Sequence, residues 1–292
     1  MKALYHHGRK GLPYGTDLNI YSGCSHGCIY CYARANYAAR RDVPYTDFQI
    51  SLLRHGIVKA LDMELYNLNR EVKEMPVINI GGSCDSYQPP EAINTAMRDI
   101  LAILIKYKVP AVLSTKSVFI IRDLDLIDSL ASTAHVNVSI TITSENHSVS
   151  HKIEPGASPP ADRIAALKEL SRTRAFTGLH YFPVIPFIGD RRETVEASAG
   201  TDAASDSGCS YIMPGFLYLR GNIRPMFMDG IRVQFPHLAD RFQELYKKGS
   251  ADQHYKSNFY KMFYSITGRK NLCTDYRKFL PASCVNSPDK LS

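Results

Sequence analysis

Residues 21–32 read YSGCSHGCIYCY, so Cys24, Cys28 and Cys31 fall within eight positions of a chain that has seven cysteines in all. Thiolates are metal ligands, and three of them at this spacing can face one point only if the backbone wraps round it as a loop. Gly23 and Gly27 ease that wrapping, because glycine accepts positive φ. No fourth cysteine lies nearby in the sequence. Closed zinc and iron–sulfur centres are usually completed by four ligands. A three-cysteine iron–sulfur site therefore leaves one iron with an open coordination position, suited to binding a substrate or cofactor. The alternative is a zinc site completed by His26 or by a remote cysteine, and His26 sits awkwardly inside the first gap.

The elements that must position this loop read as alternating strands and helices. Short β-rich apolar runs cover 17–23, 76–82, 110–116, 136–143, 178–185 and 210–219. Between them, apolar residues repeat at three and four over 46–73, 91–107, 122–133, 160–174 and 191–206, predicting helices. Six strands alternating with helices imply right-handed crossovers and a parallel sheet, either an open doubly wound one or a partial barrel. In both, the working face lies at the carboxyl ends of the strands. Polar punctuation gathers there: the cysteine loop after the first strand, Gly81-Gly82-Ser83-Cys84-Asp85 after the second and Thr115-Lys116-Ser117 after the third, with Ser139 and Thr141 on the fourth.

Composition narrows the class. The chain has 292 residues, 45% hydrophobic and 22% charged, which is the balance of a globular protein with a sizeable core. No apolar run reaches the roughly 18–20 residues a membrane helix needs. The N-terminal stretch MKALYHHGRKGLPYG lacks a hydrophobic secretory core, so a cytoplasmic location is expected. In a reducing compartment a tight cysteine cluster binds metal or does chemistry rather than forming disulfides. Cys209, Cys273 and Cys284 have no neighbours at metal spacing and read as ordinary thiols. From about 235 the pattern changes: helical segments near 236–248 and 254–266 are rich in Tyr, Phe and Lys, and residues 241–278 carry nine Lys/Arg against three acids. Residues 1–234 are expected to form the α/β unit and 235–292 a helical extension ending in a loose tail. The formal charge of +7 is compatible with a polyanionic partner.

Together these motifs carry a family resemblance. GCSHGCIYCYAR resembles the signature of the radical S-adenosylmethionine (SAM) enzymes, and more narrowly that of the spore photoproduct lyase family. GGSCDSYQPPE, LSTKS, IIRDLDLI, VSITIT, KIEPGASPPADRIAALKEL and FPVIPFIGD follow in the family's order, so the resemblance spans about residues 14–220. The C-terminal part matches only weakly. The resemblance implies a partial (β/α)6 TIM-like barrel with a helical C-terminal extension. It implies a [4Fe–4S] cluster on Cys24, Cys28 and Cys31, SAM on the fourth iron, and reductive cleavage to a 5′-deoxyadenosyl radical. On it, Gly81, Gly82 and Ser83 would meet the SAM amine, Lys116 its carboxylate and Ser139 its ribose. Tyr30 and Tyr32 would lie around SAM and in hydrogen return. Cys84 would be the hydrogen-atom donor, although it stands immediately before Asp85 rather than a few residues earlier. Glu154 and Arg163 match a Glu-Pro and an Arg of the family and would either face the cofactor or be solvated. Asp85, Tyr87 and Gln88 are candidates for substrate recognition.

The expected activity is thus a lyase-like radical SAM reaction on a DNA base lesion, fed by an electron donor of flavodoxin or ferredoxin type, with no membrane partner. Tyr255, Phe259, Tyr260, Phe263 and Tyr264, interleaved with Lys256 and Lys261, suit phosphate contacts and stacking, or else an amphipathic helix covering the barrel's open side. A peptide, a transfer RNA or a small metabolite is the alternative substrate, and a non-catalytic metal-binding protein the alternative from another class.

Overall fold

A computed structural model describes residues 1–6, 14–197 and 202–281. The chain runs β1 (Leu4–His6), β2 (Thr16–Leu18), β3 (Tyr21–Ser22), α1 (Tyr32–Arg41), β4 (Leu52–Leu53), α2 (Ile57–Glu71), β5 (Ile78–Ile80), α3 (Glu91–Asn94) and α4 (Ala96–Tyr107). It continues with β6 (Ala111–Thr115), α5 (Leu124–Ala131), β7 (Val136–Thr141), α6 (His147–Ile153), α7 (Pro160–Leu170), β8 (Phe176–Val184), α8 (Arg192–Val195) and α9 (Asp202–Ser207). Last come β9 (Tyr211–Phe216), α10 (Ile223–Gln234), α11 (Ala239–Leu245) and α12 (Gln253–Arg269). The main sheet has the order β1-β2-β5-β6-β7-β8-β9. From β2 to β9 all neighbours are parallel, and only the edge strand β1 is antiparallel. Six parallel strands with helical crossovers make the partial (β/α)6 barrel.

The two faces of the sheet differ in chemistry. Ile78, Ile80, Leu113, Val138, Ile140, Leu179 and Ile212 point outward into one aliphatic core with the helices. α4 supplies Met97, Ile100, Leu101 and Leu104 to it at helical spacing, each side chain giving about 1.5–3 kcal/mol on burial. The alternate residues face the lumen, in registers that align Asp17 with Asn79, Ser114 with Ser139, Gly178 with Tyr211, and Thr141 with His180. The barrel is therefore greasy outside and polar within.

Several expected elements are shorter than the periodicity predicts, each for a backbone reason. The 46–73 segment becomes a 3-10 turn at Tyr45–Gln49, strand β4, then α2, because Gly56 takes φ 69 and begins the helix afresh. The 91–107 helix is broken between α3 and α4 by Thr95 at φ 50. The 17–23 run divides: β2 joins the barrel, while β3 pairs with β4 in a separate ribbon. Residues 198–201 of the 191–206 helix, and the tail from 282 with Cys284, lie outside the described residues. α12 begins at Asp252, whose carboxylate accepts from the Tyr255 amide at 2.8 Å. It buries Phe259, Phe263 and Ile266 in the barrel's own aliphatic core. Phe216 meets Phe259 edge-on, with centroids 5.0 Å apart. Phe259 and Phe263 are thus committed to packing, and Tyr264 is the exposed aromatic of that helix.

Candidate active site at the barrel mouth

The loop 23–31 is held by anchors far away in sequence. Gly23 takes φ +87, and a Cβ there would run into the Ile50 carbonyl oxygen. The Cys24 amide donates to the Phe48 carbonyl at 2.7 Å, and the Ile29 amide to Ile153 at 3.0 Å. Gly156 closes the far side, donating to the His26 carbonyl at 2.9 Å. Gln88, wholly buried, accepts from the Ser25 amide at 2.8 Å and donates to the Gly23 carbonyl at 3.2 Å. Arg34 on α1 donates to the Gly27 carbonyl at 2.9 Å and to the Tyr45 carbonyl at 3.0 Å. Every turn of the loop is pinned.

Burial pushes the Cys24 thiol up to about 12 and raises Cys28 and Cys31 as well. Lys116 and nearby backbone N–H groups act in the opposite direction: the Cys31 sulfur accepts from the Arg34 amide at 3.4 Å, and Cys24 is served by the amides of Asp85 and His26. Such donors are what cluster-bound sulfurs accept, and a metal would supply the charge that burial denies the thiolates. Among the described residues no three His, Cys, Asp or Glu side chains converge closely enough to hold a single metal ion. A polynuclear cluster, whose thiolates sit on separate irons, asks for no such convergence. The three cysteines fit that group.

Asp85 ties the loop to two strand ends. Its Oδ1 accepts from Thr115 Oγ1 at 2.7 Å and from the Tyr87 amide at 2.9 Å, and its Oδ2 from the Lys116 amide at 2.8 Å. His26 Nδ1 lies 3.5 Å from the same Oδ2, and its Nε2 is buried without a partner among the described residues. Burial lowers the His26 pKa, which keeps the ring neutral there. Asp85, Tyr87 and Gln88 are all buried. Asp85 and Gln88 spend their hydrogen bonds bracing this architecture rather than facing outward.

The remaining sequence candidates fall into two groups. Around the loop, Gly81 takes φ +95 with a Cβ position blocked by the Ser114 carbonyl, Gly82 accepts from the Tyr32 hydroxyl, and the Ser83 amide donates to Asn19 Oδ1 at 3.1 Å. The Lys116 ammonium sits 5.9 Å from the Tyr30 ring centroid. Burial opposes its charge, but Cys28, Glu154 and Asp85 outweigh that and raise its pKa. The Tyr30 hydroxyl donates to Glu154, which lies 2.8 Å from Arg163 in a fully buried ion pair. Arg163 also donates to the Thr141 carbonyl and to Ser150 Oγ, both at 2.8 Å. Burial would raise the Glu154 carboxyl, yet Arg163 and Lys116 hold it below the ordinary range. Glu154 and Arg163 are therefore interior residues at the mouth, not solvated flankers of a helix.

In the second group, Ser139 is in the lumen and donates to the Leu113 carbonyl at 3.2 Å. Cys84 is 4% exposed within the aliphatic core, and its S–H reaches the Tyr21 carbonyl at 3.3 Å. Burial pushes that thiol up to about 12. Sequence reasoning missed the lumen trio Asn137, His180 and Tyr211, since a lone histidine on a strand carries no signal until the register of its neighbours is known.

Comparison with known proteins places the fold. The chain superposes on a tyrosine-to-phenylalanine mutant of spore photoproduct lyase with a TM-score of 0.68 at 12% identity, covering 93% of this chain and 78% of that one. A double mutant of the same enzyme with bound AdoMet and dinucleoside spore photoproduct gives 0.60 at 13%, covering 92% and 75%. An uncharacterized protein of Mycobacterium tuberculosis is 29% identical over 238 residues, 82% of this chain and 69% of its own. An uncharacterized protein of Methanocaldococcus jannaschii is 28% identical over 176 residues, 59% and 61% respectively. No protein-family model matches the chain. The fold is that of spore photoproduct lyase. Among the described residues no helix is long and apolar enough to cross a membrane.

Proposed function

We propose that this protein is a radical SAM enzyme of the spore photoproduct lyase kind that acts on a DNA base lesion. The observation that carries the proposal is the pinned three-cysteine loop at the carboxyl mouth of a polar-lined barrel, in the fold of an enzyme whose solved structures include one with AdoMet and a dinucleoside lesion. A [4Fe–4S] cluster on Cys24, Cys28 and Cys31 with bound SAM would supply one-electron cleavage to a 5′-deoxyadenosyl radical. The chain's own part is to bind, orient and keep water out. Gly81 and Gly82 lie flush against the Ser114 carbonyl and the Asn79 side-chain amide, where a Cβ would collide, and their backbone is the candidate partner for an ammonium. Lys116, beside Tyr30 and the cluster loop, offers a charge-assisted hydrogen bond to a carboxylate. Ser139, paired with Ser114 two residues before Lys116, is the ribose candidate.

For hydrogen return the geometry favours Tyr32 over Cys84. The Tyr32 ring is 43% exposed beside Gly82, whereas the Cys84 thiol is sealed in the core with its S–H on a backbone carbonyl. Tyr30 is better read as the partner of Glu154 that shapes the pocket. The electron donor would be a small flavodoxin- or ferredoxin-type protein.

Anaerobic reconstitution tests the reading. About four irons per chain are expected. Deoxyadenosine and methionine should form from SAM under strong reductant, with thymine monomers restored in ultraviolet-irradiated spore-type DNA. Deoxyadenosine without any change in the DNA would redirect the substrate to a peptide, a transfer RNA or a small metabolite. A colourless zinc protein that leaves SAM intact would overturn the enzyme assignment.

A further inference from the structure

The lumen contains a hydrogen-bond chain whose direction is fixed by its far end. The Phe279 backbone carbonyl can only accept, and it takes Asn137 Nδ2 and His135 Nε2, each at 2.9 Å. Asn137 must then turn its Oδ1 toward Tyr211, which donates its single hydroxyl proton there at 2.8 Å. With that proton spent, the Tyr211 oxygen can only accept from His180 Nε2, 3.4 Å away. His180 therefore carries its proton on Nε2, and Nδ1 of the neutral ring is left as a bare acceptor with no partner among the described residues. Burial, with Lys116 adding to it, pushes His180 down to about 4, so the ring stays neutral near pH 7. His180 is in register with Thr141 on the inward face of the sheet, one layer above Ser139 and Tyr211.

We infer that His180 is a specificity-determining residue whose locked tautomer presents Nδ1 to the chamber as an obligate hydrogen-bond acceptor, selecting substrates that offer an N–H or O–H donor, as the imide edge of a pyrimidine does. The inference rests on reading the lumen as the substrate chamber. A cationic wall or a second donor at this position would favour anionic or carbonyl-bearing groups instead.

Two measurements on the full chain test it. Long-range 1H–15N correlation spectra of histidine-labelled protein, assigned with His180→Asn, should show the Nε2–H tautomer at neutral pH. Tyr211→Phe should release that tautomer into a mixture. Titration with a dithymidine dinucleotide and its N3-methylated counterpart should then show about a tenfold penalty for methylation in the wild type. That penalty should vanish in His180→Leu. An Nδ1–H tautomer, an imidazolium, or a methylation penalty that survives His180→Leu would overturn the inference. If neither dinucleotide binds, the base-lesion reading fails, and the assignment to His180 stands or falls on the tautomer alone.

Discussion

Gly23 is the residue on which the cysteine loop turns. At φ +87, with the Ile50 carbonyl where a Cβ would go, an alanine there meets both backbone strain and a steric collision. Strain of that kind costs about 1–3 kcal/mol. Gly23→Ala should accordingly lower the urea midpoint and reduce the iron retained per chain after reconstitution, with both read on one preparation. Cys84→Ala should lower the midpoint by a small-cavity cost while iron content and deoxyadenosine formation persist, because its thiol packs behind the site. The triplet itself is legible in sequence because its spacing is local and its chemistry narrow. Glu154 and Arg163 can be noticed as charges around a proline-rich turn, but that they are buried together follows only from the path of the chain between them.

At the scale of elements, α6 and α7 meet the cysteine loop through one ion pair. Glu154 follows α6 and Arg163 lies within α7; both are wholly buried, and the guanidinium also satisfies the Thr141 carbonyl at the end of β7. Removing one member leaves the other charged and unpaired in the interior, which costs about 3–5 kcal/mol. Arg163→Met is expected to lose stability on that order by urea denaturation and, with it, the fixed position of Tyr30. A simultaneous Glu154→Gln should recover part of the loss, which a double-mutant cycle measures. The alternation of strand and helix is readable from apolar periodicity, since each outward-facing position must be greasy. The breaks are not: Thr95 adopts left-handed backbone without being glycine, so nothing in residue type announces that a helix stops there.

Over the whole molecule, the polar lumen makes stability sensitive to acid. His180 falls from an ordinary 6.5 to about 4 on folding, and burial lowers His135 as well. Between those values the unfolded chain takes up protons that the folded one refuses, so this contribution is full above about pH 6.5 and is lost as pH drops toward 4; below that the depressed Glu154 carboxylate carries the loss further. Urea midpoints across pH 4 to 8 should follow that course, and His180→Asn should make it shallower, leaving the part that His135 carries. The lumen's polarity is the part of the site least visible in sequence. Asp17, Asn79, Asn137 and Tyr211 look like scattered polar residues until the parallel register brings them to one face.

At the amino ends of the strands, Leu280 packs with Val77 and Val112 while Phe279 stacks on Tyr211 at 5.5 Å, so the C-terminal segment stops the base of the barrel. Among the described residues the foot of the barrel is covered and the carboxyl mouth is the side left to approach. Anything that used the lumen would come and go past the cysteine loop.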